Sequence, residues 1–442
     1  TTGGNKLFGL SRTTVCVAAF AVLAAIGVGI GAAARNGAFS SPAPSPTSSQ
    51  TQDVLPPTPA FVPKTSSPTV SPVAKPLGPE CQLTRLSGPG DIGASESTVA
   101  ISGDIVAVGS PDSGSSGSVT IFARGGSDTW STETVLSPPE GFEFGRSIDV
   151  QDNVLVAGST YVDAGGTKRG CAYVYERNEN NGEWELLTRL VAEDALKSDA
   201  SFGIAVAVDF VADELWEGRT IVLVGEPFGD FQPAGKKTGT VHVFTDKAVG
   251  GWELQAQLTP GDGVDGDSFG LALDLSDARA VVANADGSVY SFEQNNERRN
   301  RWDQRPKIPP VKDPKFGISG SSVSIHHRSV AVGSGGIVRM LNFGISKTVE
   351  AARLRPNSED FSSRAFGREV SVKDGTVIVS APPFGNAPGE DRLFYIFEGD
   401  SWSYKQVGMF ESRDAGGRVA VDGSTIAVGS QDGGEAFVAE LC

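Results

Sequence analysis

The stretch FGRSIDVQDNVLVAGSTYVDAGGTKRGCAYVYERNENNGEWELLTRL, residues 144–190, decides the fold. It opens on Phe144-Gly145 and runs through SIDV and VLVAG, two short runs rich in β-branched residues. A polar loop containing glycine follows, then CAYVY, then a turn that ends at Trp184 and WELLTRL. Apolar runs of this length, separated by turn residues, predict four short strands.

The same pattern recurs on both sides of that stretch. Seven second-strand runs can be aligned: VAVGSP (106–111), VLVAGS (154–159), VLVGEP (222–227), VVANA (281–285), VAVGS (330–334), VIVSAPP (377–383) and IAVGSQ (426–431). Each is preceded by a first-strand run and followed by a third. Trp130, Trp184, Trp252, Trp302 and Trp402, five of the six tryptophans, are expected to open fourth strands. One residue type at one repeat position points to packing. Four strands every forty to fifty residues predict the blades of a β-propeller. The last copy stops at Cys442 without a fourth strand, whereas CQLTRLSGPGD (81–91) matches the fourth-strand run WELLTRLVAED. The expected architecture is all-β, a seven-bladed propeller over 80–442 closed by its N-terminal strand.

Phe144-Gly145, Phe202-Gly203, Phe269-Gly270 and Phe366-Gly367, each followed by a strand and then VAGS, VGEP, VANA or VSAPP, resemble FG-GAP repeats. That is the repeat of the integrin α-subunit head and of many exported proteins. The match departs in blade 1, with Ile92-Gly93 or Ser95-Glu96 at the FG place, and in blade 7, with Ala415-Gly416. The resemblance implies a propeller used for recognition, with calcium held by a DxDxDGxxD loop between first and second strands. Such a site needs closely spaced carboxylates. Here the first loops are short (SGD, QDN, KDG). Only blade 3 has a long one, DFVADELWEG, which makes Asp209, Asp213 and Glu217 the weak calcium candidates, at a spacing that does not match. No metal or other cofactor is expected.

Charge and composition narrow the function further. The chain has 442 residues and a formal charge of −16. Residues 1–79 carry five basic side chains against Asp53, so the remainder holds −20. A body so acidic is not expected to bind nucleic acid. Asp262, Asp265 and Asp267 sit at a blade junction, where Asx-type turn capping is the expected role. Gly266-Asp267-Ser268-Phe269-Gly270 fits GxSxG, but a nucleophile elbow needs a strand-to-helix turn and a partnered histidine. No enzyme is expected, and a hydrolase-associated propeller is the least favoured reading. His326-His327 reads as an exposed turn pair, and ERRNRW (297–302) with Arg305 and Lys307 as a solvated hairpin tip.

The segment ahead of the propeller sets the expected location. Residues 1–12 form a short cationic stretch, expected to be cytoplasmic. Thr13–Ala34 is a run of twenty-two uncharged residues, long enough as a helix to cross a hydrocarbon core of ~30 Å. Lys6 and Arg12 before it favour a type II signal-anchor with an extracellular propeller. Cleavage near Ala32-Ala33-Ala34, giving a secreted form, is the alternative. Residues 35–79 contain eleven prolines among Ser and Thr, the composition of an extended, disordered stalk.

Recognition residues are sought on the long loops between second and third strands: TYVDAGGTKRG (160–170), PFGDFQPAGKKTG (227–239) and PPFGNAPGEDR (382–392). These carry Tyr161, Phe228, Phe231 and Phe384, aromatic residues suited to recognition from a rigid scaffold; a structural turn at the repeated PFG is the competing reading. The expected function is a non-catalytic, membrane-anchored adhesion or recognition module for an extracellular protein or glycan. The alternative is a structural component of a wall or matrix. The repeat alignment also places Cys81 at the start of the closing strand and Cys442 just past its neighbour, at the same end of one hairpin. Export supplies the oxidising compartment, so the two are expected to form a disulfide.

Overall fold

The computed structural model describes residues 83–441, apart from 89–96, 127–128, 164–167, 192–200, 214–215, 229–236, 248–249, 312–321, 335, 345–347, 358–364, 384–390, 401 and 432–433. The expected segments 1–12, 13–34 and 35–79, and both Cys81 and Cys442, lie outside the described residues. Among the described residues no helix is long and apolar enough to cross a membrane.

Among the described residues, twenty-eight strands form seven four-stranded antiparallel sheets. The chain enters with β1 (Thr84–Ser87). Blade 1 is β2 (Thr98–Ser102), β3 (Ile105–Ser110), β4 (Ser118–Arg124) and β5 (Trp130–Leu136). Blade 2 is β6 (Ser147–Gln151), β7 (Val154–Asp163), β8 (Lys168–Arg177) and β9 (Trp184–Leu190). Blade 3 is β10 (Val206–Asp213), β11 (Trp216–Glu226), β12 (Thr240–Asp246) and β13 (Trp252–Leu258). Blade 4 is β14 (Ala272–Ser276), β15 (Arg279–Ala283), β16 (Val289–Gln294) and β17 (Trp302–Gln304). Blade 5 is β18 (Ser322–His326), β19 (Ser329–Ser334), β20 (Ile337–Phe343) and β21 (Thr348–Leu354). Blade 6 is β22 (Val370–Lys373), β23 (Thr376–Ala381), β24 (Arg392–Gly399) and β25 (Tyr404–Ser412). Blade 7 is β26 (Ala415–Asp422), β27 (Thr425–Ser430) and β28 (Glu435–Glu440), completed by β1.

The first strands β2, β6, β10, β14, β18, β22 and β26 each contact the next, and β26 returns to β2, so they line a closed ring. Second strands such as β3 and β27 are buried along their whole length because a neighbouring blade covers each face. Fourth strands lie outermost, and WELLTRL keeps only its last residue fully buried.

The FG motif owes its composition to a close approach between blades. The glycine stands at positive φ, +88° at Gly145 and +89° at Gly203. Its carbonyl comes so near the second-strand glycine of the preceding blade that a Cβ at Gly109 would lie 2.1 Å from the Gly145 oxygen. Phe144, Phe202, Phe269 and Phe366 are fully buried. They meet Tyr173, His242, Tyr290 and Tyr395 of the third strand edge-on, with centroids 5.2–5.7 Å apart. In blade 1 Ser97 holds the glycine place: its amide donates to the Ser430 carbonyl, and its oxygen crowds Gly429. That is one residue beyond the expected Ser95-Glu96. In blade 7 the buried Ala415 stands where phenylalanine stands elsewhere.

The tryptophans divide. Trp130, Trp184, Trp252 and Trp302 open fourth strands as expected. Trp402 does not: it precedes β25 in a turn and is 62% exposed. The fourth strands of blades 1 and 3 carry a bulge that leaves Glu133 in β5 and Gln255 in β13 without cross-strand partners. Each reaches the next blade, where the indole of Trp184 donates to Glu133 at 3.0 Å and that of Trp302 to Gln255 at 3.1 Å.

Candidate functional site

The first-to-second-strand turns and the second-to-third-strand connections lie at opposite ends of every blade. On the long-loop end, Phe228 follows β11 and is 45% exposed. Phe142 and Val264, on connections between blades at the same end, are also exposed. The Phe228 loop is tied to the next connection: the amide of Lys237 donates to Asp265 at 2.8 Å and that of Phe269 to the Thr238 carbonyl. Tyr161 lies in β7, which extends with β8 into a long hairpin, but its side chain lies outside the described set; Phe231 and Phe384 lie outside the described residues.

The acidic candidates separate. The stretch from Asp209 is not a loop, because β10 and β11 continue as a hairpin through it, with Val211 opposite Arg219. Alternating Phe210 and Val211 extend the strand pattern, so Asp209 sits within a strand. Its carboxylate accepts the amide of Asp277 in the next blade at 2.7 Å, and burial pushes its pKa up to about 6. Asp213 and Glu217 also fall within these strands. At the 262–267 cluster each carboxylate turns elsewhere. Asp262 accepts the Tyr290 hydroxyl at 2.8 Å, Asp265 the Lys237 amide, and Asp267 the Val264 amide at 2.8 Å. Asp265 and Asp267 thus cap backbone amides, Asp262 instead holds the Tyr290 hydroxyl and Lys307, and Ser268 lies in that turn at φ +53° with no helix after it. Part of the basic patch is paired locally: Arg301 with Asp303, Arg305 with Glu293, and Lys307 with Asp262.

The arrangement that sequence reasoning missed lines the central ring. Asp149 of β6 accepts the amide of Val208 at 2.7 Å, and Asp274 of β14 accepts that of Ile325 at 2.7 Å. Ser324 and Ser371 accept the amides of Val372 and Val421 in the same way, at 3.1 and 3.2 Å. Each latch joins one first strand to the next. Burial, and then the charge of Asp274, pushes Asp149 up to about 8. Burial also raises Asp274, to about 6, against the lowering effect of the Ile325 and Leu275 amides.

A second tier of latches lies at the short turns. There Ser102, Asp209, Ser276 and His326 accept the amides of Asp152, Asp277, His327 and Asp374, each from the following blade. Asp422 closes the series by accepting the amide of Gly103 across the seam. Turns of blades 4, 5 and 6 therefore converge on a cleft of about 490 Å³. Asp277, Arg279, His326, His327, Arg328 and Asp374 are among its lining residues. The pair expected as an exposed turn is not uniform: His327 is 66% exposed, but His326 only 16%, because it is turned in against Asp374. Burial and then the neighbouring His327 hold the His326 imidazole below its usual pKa.

No protein-family model matches the chain, and no curated protein does. Solved structures match in shape. Raptor of Chaetomium thermophilum superposes with a TM-score of 0.50 at 13% identity, over 82% of this chain and 29% of that one. Sqt1 of Saccharomyces cerevisiae gives 0.45 at 13%, over 81% and 98% of the two chains. A protein from Lactobacillus plantarum gives 0.45 at 10%, over 74% and 90%. The fold is a seven-bladed β-propeller. This chain spans less than a third of Raptor.

Proposed function

We propose that the protein is a non-catalytic recognition module of the FG-GAP type, held outside a membrane by residues 13–34 and binding an extracellular protein or glycan. The observation that carries this reading is the exposure of Phe142, Phe228 and Val264 on connections at one end of a closed ring. Aromatic side chains held on a rigid frame lose little entropy on binding. The FG-GAP assignment is supported by the buried phenylalanine, the positive-φ glycine and the close inter-blade approach.

The test is capture of ligands by the full chain displayed on intact cells, using glycan arrays and solubilised cell-surface proteins. Substituting Phe142→Ser and Phe228→Ser together should weaken capture at least tenfold, as truncation of a contact worth about 1.4 kcal/mol or more does. Unchanged capture removes this face from the proposal. Release of the propeller by external protease, leaving a membrane-bound stub, supports the anchor; a mature N-terminus near Asn36 overturns it. Resistance of the full chain to detergent extraction would favour a wall or matrix role.

A further inference from the structure

The short-turn end gathers metal-ligating chemistry from residues far apart in sequence. One ligand atom each of His326, His327 and Asp374 lies within 4.8 Å of the other two. The turns themselves are ordinary two-residue hairpins, with φ of +53° at His327 and +48° at Asp374 matched by +52° at Asp152 in blade 2. Backbone geometry is therefore generic here, and the side chains are what distinguish blades 5 and 6.

Three contacts bear on ligation. His327 Nδ1 lies 2.7 Å from Asp277 Oδ2, so Nδ1–H donates to the carboxylate and Nε2 keeps a free lone pair. That is the usual arrangement of a ligating histidine oriented by a carboxylate behind it. His326 Nδ1 accepts the Asp374 amide at 3.2 Å, the longest of the turn latches, and lies 3.7 Å from Asp374 Oδ1. An ion about 2.0–2.1 Å from a nitrogen and an oxygen spans such a gap after a small closure. The neighbouring cations are mostly engaged: Arg279 with Glu293 and Asp277, and Lys373 with Asp422, while Arg328 is exposed.

We propose that His326 Nδ1, His327 Nε2 and Asp374 Oδ1 bind one divalent ion of the zinc class at this mouth, with Asp277 positioning His327. Two imidazoles and a carboxylate suit a borderline ion better than calcium, which prefers oxygen ligands alone. Three protein ligands leave a position open to the cleft. Ligation takes the one lone pair of His326 Nδ1 away from the Asp374 amide, so the ion would replace the longest of the turn latches as the joint between blades 5 and 6.

The test is titration of the full chain with Zn²⁺ alone, followed by Co²⁺ as a spectroscopic probe. One ion per chain should bind, with visible d–d bands and no thiolate-to-cobalt charge-transfer band, which excludes the cysteines. His327→Asn keeps a residue that tolerates positive φ, so it tests the ligand without breaking the turn. It should weaken binding at least tenfold, as should His326→Gln and Asp374→Asn. Asp277→Asn should weaken it about tenfold, in the range for a group behind a ligand. Bound Zn²⁺ should raise the Tm of the wild type and not that of His327→Asn. Absence of stoichiometric binding, a thiolate charge-transfer band, or wild-type affinity in folded His327→Asn would overturn the proposal.

Discussion

At the scale of single residues, the ring is held by side chains that accept amides from the next blade, and Asp149, Asp209, Asp274 and Asp422 among them are carboxylates. Asp149, at about 8, holds its proton in the folded chain across a range where the unfolded chain has lost it. The folded state then binds more protons between roughly pH 4 and pH 8, so stability from this group is present below that window and falls as pH rises through it. The slope is at most about 1.4 kcal/mol per pH unit. Asp149→Asn keeps an oxygen to accept the Val208 amide and carries no charge. Its Tm relative to wild type should rise steadily from pH 5 to pH 8; a constant difference would show that Asp149 is ionised in the folded ring. Glycine sets the second constraint at this scale. A Cβ at Gly158 would lie 2.0 Å from the Gly203 carbonyl oxygen, a backbone atom with no freedom to withdraw. Gly158→Ala should cost about 3 kcal/mol or more, whereas alanine at Gly126, which meets nothing within 4 Å, should be nearly neutral by the same chemical denaturation.

At the scale of elements, a blade is joined to its neighbour by its outer strand as well as its inner one. Glu133 in the β5 bulge accepts the indole of Trp184 and the Arg177 guanidinium, whose Nε lies 3.0 Å away. Glu133→Ala strands both donors and should cost about 1–3 kcal/mol. A double-mutant cycle with Trp184→Phe should be non-additive by at least about 0.5 kcal/mol; additivity would remove the bulge contact from the account. Much of this element-level order was legible in the sequence. Period, strand count, FG junctions and the origin of the closing strand all follow from residues that repeat, and repeated residues are visible without coordinates. What escaped was whatever differs between blades. Asp149 and Asp274 look like polar positions in alternating strands until the next strand is placed against them. His326 and Asp374 are separated by a whole blade in sequence, so no local spacing joins them. The run after Asp209 reads as an acidic loop because its charges outweigh the alternation that makes it a hairpin. Trp402 is the converse case, where a repeated residue type suggested packing and the turn before β25 left the ring in solvent.

At the scale of the molecule, the seam between blades 7 and 1 decides whether seven sheets behave as one ring. β1 pairs with β28 from Thr84 opposite Val438 to Ser87 opposite Glu435. Leu86 is buried with Ile101, Val106, Val108 and Phe122 of blade 1 and with Ala427, Ala436 and Val438 of blade 7. Arg85 and Ser87 both hydrogen-bond Glu435, and Arg124 of blade 1 reaches Glu440 of blade 7 at 2.9 Å. These contacts are unequal. The Arg85 side chain is 52% exposed, where an ion pair is screened and worth about 0–1 kcal/mol. Leu86 is 3% exposed, and truncating a buried leucine costs about 2–5 kcal/mol. Leu86→Ala should therefore lower stability several times more than Arg85→Ala, and it should open the seam first. Amide exchange in β28 and β27 should accelerate before that in β14 or β18, on the far side of the ring. The proposed Cys81–Cys442 bond bears on the same seam, since Cys81 precedes β1 by three residues and Cys442 follows β28 by two. If it forms, peptide mapping without reduction yields one linked pair, and reduction should accelerate exchange at β28 as Leu86→Ala does. Exchange that rises uniformly around the ring in Leu86→Ala would mean that the propeller unfolds as a single unit and that the N-terminal strand is no weaker a joint than any other.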